Sequence, residues 1–541
     1  MSGLVQVINS APALMASVAI HFPSVQYGDL VPELALLVGA LVAMVSSALA
    51  RTKDISFPYT GIGIVTVVLA GVWSYHLSTI VASSGPKAIV AGAMAVDGFS
   101  TFLMVLIAVS LLLVILLAEA FIYEVGSRGP DFVALLLLSG SGAMFMASAE
   151  DLLVLFVGLE ILSIALYVLV AYCAQVTLSR EAAFKYFILG GFSSAILLYG
   201  IALTYGATGT TNIGQIALFL SQNTLTSNGV LLGGMALIIV GLGFKIAAVP
   251  FQLWTPDVYQ GAPTTVTGYM ASVAKAGGFA GLLRVLYVSF QTVRIDWRPV
   301  ILVMCVLTLF TGSILALVQR DVKRLLAYSS INHAGFILIG LYVATQSSLG
   351  DSLYYVFAYS IMAIGSFGCV SIIGHLKGST EGPLDIDSLR GLAREHPRLA
   401  VVFAILLVAQ SGAPFTIGFL AKFSVVSAAA LGQHYELAVL AMLSAVIAVY
   451  FYLRVVFAMY RPPLTADTEG ESGLTLTDDS GDVMIEEDGA LDQGDLLTVT
   501  RSRTIPVAAS LSVGLALAMT IGFGIVANPL ISFASSAIPL H

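Results

Sequence analysis

Charge is scarce in this sequence. Asp, Glu, Lys and Arg make up 10% of its 541 residues, against about 25% in soluble globular domains. With 58% hydrophobic residues, a water-soluble fold would have too little polar surface to cover itself. A bilayer removes that difficulty, because apolar helix faces can meet lipid. Cysteine is equally thin. Cys173, Cys305 and Cys369 stand far apart, at no spacing that would hold zinc or an iron–sulfur cluster. No G-x-G-x-x-G run and no P-loop occurs, which argues against a nucleotide or redox cofactor on this chain. No basic region precedes the first apolar stretch, so a cleaved signal peptide is not expected.

Positive charge is missing altogether from residues 462–500, which hold eleven acids. Setting that segment aside turns the net charge from −8 to +3. The remainder is mildly basic, and nothing in it suggests nucleic-acid binding. The acidic segment is poor in apolar residues and has no helical period, the pattern of a solvated, disordered loop.

Long apolar runs are what the sequence has in abundance. A membrane-crossing helix needs about 20 mostly apolar residues. Fourteen segments qualify, at roughly 29–50, 58–83, 99–120, 131–148, 152–174, 182–206, 229–249, 265–290, 299–318, 325–346, 351–376, 397–431, 433–460 and 505–534. The fold class expected is an all-α polytopic membrane protein. Basic residues set its orientation. Loops and helix ends that follow odd-numbered spans carry fourteen Lys and Arg, those after even-numbered spans three. Both termini are therefore expected on the outer side, with the acidic loop facing the cytoplasm.

Six basic residues remain inside spans: Lys185, Lys245, Lys275, Arg284, Lys422 and Arg454. A charge at the bilayer centre costs about 2.5–3.5 kcal/mol on insertion scales. Such residues persist where they are paired, hydrated or useful. Lys245 lies five residues before Pro250, and Lys422 eight after Pro414. Proline cannot donate to the carbonyl one turn back, so both helices should break at their Pro-Phe dipeptides. A break at membrane depth frees backbone groups for water or an ion path, although a packing kink would look the same. The two broken spans, the seventh and twelfth, lie five spans apart. That spacing predicts two five-helix repeats, spans 4–8 and 9–13, inverted because five is odd.

The organisation expected is thus spans 1–3 in residues 1–130, a first repeat in 131–290, a second in 299–460, the acidic loop in 462–500 and a last span at 505–534. Glu160, mid-way along span 5, needs a cation to stay ionised, and Lys185 is the candidate partner. Lys275 sits among small residues that leave room for water. Charged lysines offer no acceptor to a metal cation, whereas a buried lysine can exchange a proton near neutral pH. His333, in span 10, titrates near neutrality and could bridge the halves. A satisfied core histidine is the plain alternative. Arg284 and Arg454 read as snorkelling or pairing residues, because arginine does not deprotonate in proteins.

Three runs carry a family resemblance: Trp254-Thr-Pro-Asp257-Val-Tyr-Gln-Gly261-Ala-Pro263, Asp321-Val-Lys323-Arg-Leu-Leu-Ala-Tyr-Ser-Ser330 and Ala413-Pro-Phe-Thr-Ile-Gly-Phe-Leu-Ala-Lys422. The chain resembles the antiporter-like membrane subunits of respiratory complex I over nearly its whole length. The first run and Lys422 match one subunit type of that family best, and the acidic loop departs from the usual pattern. The resemblance implies a proton path through Glu160, Lys185, Lys245, Lys275 and Lys422. His333, from the residue reading, joins it. It also implies the plasma membrane of a bacterium, with lipids and other complex I membrane subunits as partners. It places no cofactor on this chain: NADH, FMN, iron–sulfur clusters and quinone would belong to partner subunits. Two rival readings share the fold. One is a subunit of a cation/proton antiporter without redox coupling, the other a purely structural subunit.

Overall fold

A computed structural model describes residues 25–49, 58–125, 129–223, 229–378, 384–463 and 505–540. Residues 464–500 of the acidic segment, the first residues, and Arg51, Lys53, Arg128, Arg501 and Arg503 lie outside the described residues.

Among the described residues, thirteen helices are long and apolar enough to cross a membrane. Span 12 is assembled from two shorter apolar helices, Pro397–Ser411 and Ile417–Leu431. The spans follow the apolar runs closely, because in hydrocarbon each backbone group must be satisfied within its own segment. Spans 1–6 are Val31–Leu49, Pro58–Ser84, Gly98–Val125, Gly129–Ser148, Leu152–Val170 and Thr177–Thr208. Span 7 is Gly229–Ile246 and ends at its lysine. Span 8 runs over Thr264–Ser289 and contains two π turns, Met270–Ala274 and Val285–Ser289. Spans 9–11 are Arg294–Leu317, Val322–Val343 and Gln346–Leu376, span 13 is Tyr435–Tyr460, and span 14 is Val507–Ile525.

A hairpin and three short helices were not expected from the sequence. Strands β1 (Lys87–Ile89) and β2 (Met94–Val96) form an antiparallel hairpin. Three short helices, Ile213–Gln222, Trp254–Gly261 and Asn528–Ser535, follow spans 6, 7 and 14. All four are too short for a period to show. The hairpin is tied to the bundle at one end: Asn212 Nδ2 donates to the Gly92 carbonyl at 2.8 Å, and the Glu150 amide donates to the Ala93 carbonyl at 3.0 Å.

Spans 8, 10 and 11 are buried along almost their whole length, whereas spans 2 and 14 are mostly exposed. Close backbone approach makes the bundle tight. A Cβ built on Gly142 of span 4 would stand 2.5 Å from the Leu162 amide nitrogen of span 5. Small residues let helices touch in this way where no hydrophobic force separates lipid from protein. Four of the in-span charges, Lys245, Lys275, Arg284 and Lys422, lie in this buried centre.

Candidate functional site

Span 7 ends at Ile246 because Ala247 turns into the left-handed region (φ 61°) and Pro250 follows; the Val249–Pro250 peptide is cis. The groups freed by the break find partners. The Trp254 indole donates to the Phe244 carbonyl at 3.0 Å, and the Val249 amide donates to Thr308 Oγ1 of span 9 at 2.9 Å. Lys245 therefore sits on the last turn before the break, 4% exposed. Its Nζ donates to Ser163 Oγ of span 5 at 2.8 Å and to Tyr186 Oη of span 6 at 3.1 Å. A cavity of about 10 Å³ adjoins it, lined by Ser163, Tyr186, Ser193 and Ser194 among others. That volume is the lower limit for one water.

Glu160 precedes Ser163 by three residues, so the two share a face of span 5. Its Oε1 is buried and has no hydrogen-bond partner among the described residues. The expected Glu160–Lys185 ion pair is not present. Lys185 Nζ instead meets Asp257 Oδ2 at 2.7 Å and Glu181 Oε1 at 2.7 Å. Asp257 also accepts from Arg324 of span 10 at 2.6 Å. The reason is geometric: the short helix Trp254–Gly261 folds back beside span 6 and brings Asp257 within reach. Asp257 thereby joins a residue of the first half to one of the second. Each of its partners is about one-third exposed, so the network is worth far less than a buried one.

Lys275 follows the first π turn of span 8, a wide turn frequent at functional sites. It is 3% exposed, and its Nζ donates to the Ser330 carbonyl of span 10 at 2.7 Å. One turn further on, the stem of Lys245 packs against span 8. A Cβ at Gly278 would lie 3.2 Å from Lys245 Cγ. Glycine there permits the approach of the two lysine-bearing elements.

His333 is fully enclosed and hydrogen-bonded at both nitrogens, Nδ1 with Tyr355 Oη at 2.8 Å and Nε2 with Tyr452 Oη at 3.0 Å. Tyr452, from span 13, also bonds Ser329 Oγ and donates to Gln410 Oε1 at 3.3 Å. Gln410 Nε2 in turn donates to Ser366 Oγ at 2.6 Å. Gln410 lies on the last turn before the break of span 12, where Gly412 and Phe415 take positive φ (96° and 65°). Lys422, past that break and 7% exposed, reaches back to donate to the Ser411 carbonyl at 2.9 Å. Its ammonium also stands 5.0 Å above the Phe336 ring, a favourable cation–π placement. Polar side chains thus run from the Lys275 contact on span 10, through Ser329, Tyr452 and Gln410, to the break that holds Lys422.

Several of these residues were not singled out from sequence: Ser163, Tyr186, Tyr355, Gln410 and Tyr452. Only Gln410, a buried amide four residues before the Pro-Phe break, carried a usable signal. Lys323, counted among loop cations, is 1% exposed and donates to the Ala262 carbonyl at 2.7 Å. Arg284 pairs rather than snorkels. It is 1% exposed and bonds Asp97 at 2.9 Å and Glu150 at 2.8 Å. Asp97 also accepts from the Leu540 amide at 2.7 Å, which pins the C-terminal tail there. Arg454 donates to the Leu317 and Gln319 carbonyls. Among the described residues no three His, Cys, Asp or Glu side chains gather as a metal site.

This arrangement has known counterparts. The family model described as NADH:quinone oxidoreductase/Mrp antiporter, TM, matches residues 149–448. A NADH-quinone oxidoreductase subunit N from Parafrankia is 38% identical over 493 residues, covering 84% of this chain and 92% of that protein. A chain of respiratory complex I from Thermus thermophilus superposes with a TM-score of 0.72 at 27% identity, covering 93% of this chain and 98% of that one. A chain of the Mrp complex from Dietzia shares the fold, with a TM-score of 0.76 at 20% identity over 95% and 97% of the two chains. The chain belongs to the NADH:quinone oxidoreductase/Mrp antiporter transmembrane family, in its subunit N group.

Proposed function

We propose that this chain is a proton-translocating membrane subunit of an NADH:quinone oxidoreductase, driven by redox chemistry on its partner subunits. One observation carries the reading. Lys245, Lys275 and Lys422 are all buried, yet each is held by hydroxyls or carbonyls rather than a carboxylate. A static structural lysine in a protein interior is normally paired with an acid. A lysine held by neutral oxygen atoms can lose its proton without stranding a counter-charge.

The contacts support one path. A proton enters at Lys245 and passes along span 8 to Lys275. It crosses by the Ser329, His333, Tyr452 and Gln410 network and reaches Lys422. Glu160 and Lys185 regulate entry. Glu160 acts through Ser163, its neighbour on span 5 and an acceptor from Lys245. Lys185 exchanges between Asp257, its partner in this structure, and Glu160, and so changes the proton affinity of Lys245 by altering the charge nearby. The protein sits in a bacterial plasma membrane with both termini outward, among the other membrane subunits of the complex. NADH, FMN, iron–sulfur clusters and quinone are bound by those partners' assembly.

An antiporter without redox coupling shares the fold, so fold does not separate the two readings. The 38% identity to a subunit N protein over 92% of its length favours the first. Replacing Lys245 by Ala should abolish most pumping while the membrane arm still assembles. The measurement is proton uptake per NADH oxidised in inverted vesicles. A normal proton-to-electron ratio in that variant would sink the proposal.

A further inference from the structure

Spans 9 and 13 meet at the end of the bundle where basic residues collect, and leave a cavity of about 580 Å³ between them. Three arginines line it: Arg320, Arg454 and Arg461. Arg454 spends its hydrogen bonds on the Leu317 and Gln319 carbonyls. It thereby caps the C-terminal end of span 9, where a cation is favoured. Arg320 and Arg461 are exposed, and neither guanidinium has an ion-pair or hydrogen-bond partner among the described residues. Their backbones are nevertheless anchored. The Arg320 carbonyl accepts from the Ile386 amide at 2.8 Å, and the Arg461 carbonyl from the Gly391 amide at 2.9 Å. Two carboxylates share the rim, Asp385 and Asp387. Asp387 is paired with Arg390 at 2.9 Å, and Asp385 accepts the Asp387 amide at 3.1 Å. Positive charge with unused donors therefore dominates.

Below the arginines the walls turn apolar. Tyr450, Leu453 and Phe457 follow one another at three- and four-residue spacing, one stripe of span 13. Arg461 extends the same stripe by four. Val318, just past the end of span 9, and Ile386 add to the apolar lining. Val318, Tyr450 and Phe457 are 71%, 64% and 59% exposed. An apolar furrow along the membrane-facing side, closed at the water boundary by unpaired guanidinium groups, has the shape and polarity of a single amphiphile.

We infer that this groove binds an anionic membrane phospholipid, its phosphate between Arg320 and Arg461 and its acyl chains along the apolar stripe of span 13. Arginine suits the phosphate because its planar fork presents paired donors. Basic pockets between spans on the cytoplasmic side take such headgroups. A zwitterionic headgroup offers the same phosphate but brings a choline cation that the two guanidiniums repel.

The test uses the intact complex reconstituted in nanodiscs of phosphatidylcholine with phosphatidylglycerol, then washed in detergent and weighed by native mass spectrometry. The wild-type complex retains phosphatidylglycerol over phosphatidylcholine. Arg320→Gln with Arg461→Gln lowers that preference by about thirtyfold, the combined effect of two interfacial charges. Arg320→Lys with Arg461→Lys keeps most of it. A photoreactive residue at Phe457 in the otherwise unaltered chain adds the mass of a phospholipid. Four results would overturn the assignment: equal retention in the Gln double variant, no preference for the anionic lipid, displacement by inorganic phosphate, and a photo-adduct with a neighbouring subunit or with residues 464–500 of this chain.

Discussion

The two broken spans look alike in sequence and differ in construction. In span 7 the lysine precedes the break; in span 12 it follows. Lys245 stands five residues before its Pro-Phe pair and Lys422 eight after. Lys245 is held by two side-chain hydroxyls from neighbouring spans. Lys422 is held by a main-chain carbonyl of its own break. The left-handed turn is made by alanine in the first case and by glycine and phenylalanine in the second. Side-chain partners can be moved by shifting a helix, whereas a carbonyl of the same segment travels with the lysine. The first half thus holds its lysine through neighbouring spans, the second within one segment.

The sharpest way to break that contrast is to delete both ends of the path. Lys422→Ala and the Lys245→Ala, Lys422→Ala double variant should each lose as much pumping as Lys245→Ala alone, because members of one chain are not additive. Proton uptake in inverted vesicles reads this out. Additive losses would mean two separate paths. Next in size, Ser163→Ala with Tyr186→Phe removes two hydrogen bonds to a charged group, each worth roughly 1.5–3 kcal/mol. The double variant should pump more slowly at neutral pH, with each single variant intermediate. No side-chain substitution around Lys422 can remove its carbonyl acceptor.

Smaller effects follow at the breaks themselves. Gly412→Ala forces an L-residue into the left-handed region at about 1–2 kcal/mol, and its Cβ would stand 3.0 Å from Lys422 Cδ. Thermal unfolding of the purified complex should shift down, with pumping impaired. Ala247→Gly relieves similar strain but frees the unfolded chain, so a gain on the order of 0.5 kcal/mol is expected. Equal effects of the two substitutions would erase the distinction between the breaks.

The smallest effect concerns His434, in the connection after span 12. Burial first, then the charge of Arg298, holds its pKa below the usual histidine value, with Glu436 opposing. The Arg298 guanidinium, 2.8 Å from Nε2, can only donate, so that nitrogen must accept. A histidine kept neutral in the folded state binds fewer protons than in the unfolded chain. Stability should therefore fall as pH drops below about 6.5 towards the folded value. His434→Asn should flatten that slope in unfolding measured from pH 7.5 to 5.

The spans were legible because each must carry about 20 apolar residues. The breaks were legible because proline interrupts a helix wherever it falls. The anomalous lysines were legible because lipid makes charge expensive. Partners were not. Arg284 meets Glu150 and Asp97 across 134 and 187 residues of sequence, and both acids lie at span edges where a carboxylate attracts no notice. Asp257 stood inside a recognisable run, yet its pairing with Lys185 depends on a helix of eight residues folding back. Sequence by itself determined where this chain crosses the membrane, where it breaks and which charges it buries, since all three are local costs of placing residues in hydrocarbon. Tertiary structure alone decided which oxygen meets which lysine, because a hydrogen bond of about 3 Å depends on how helices remote in sequence are rotated and packed against one another.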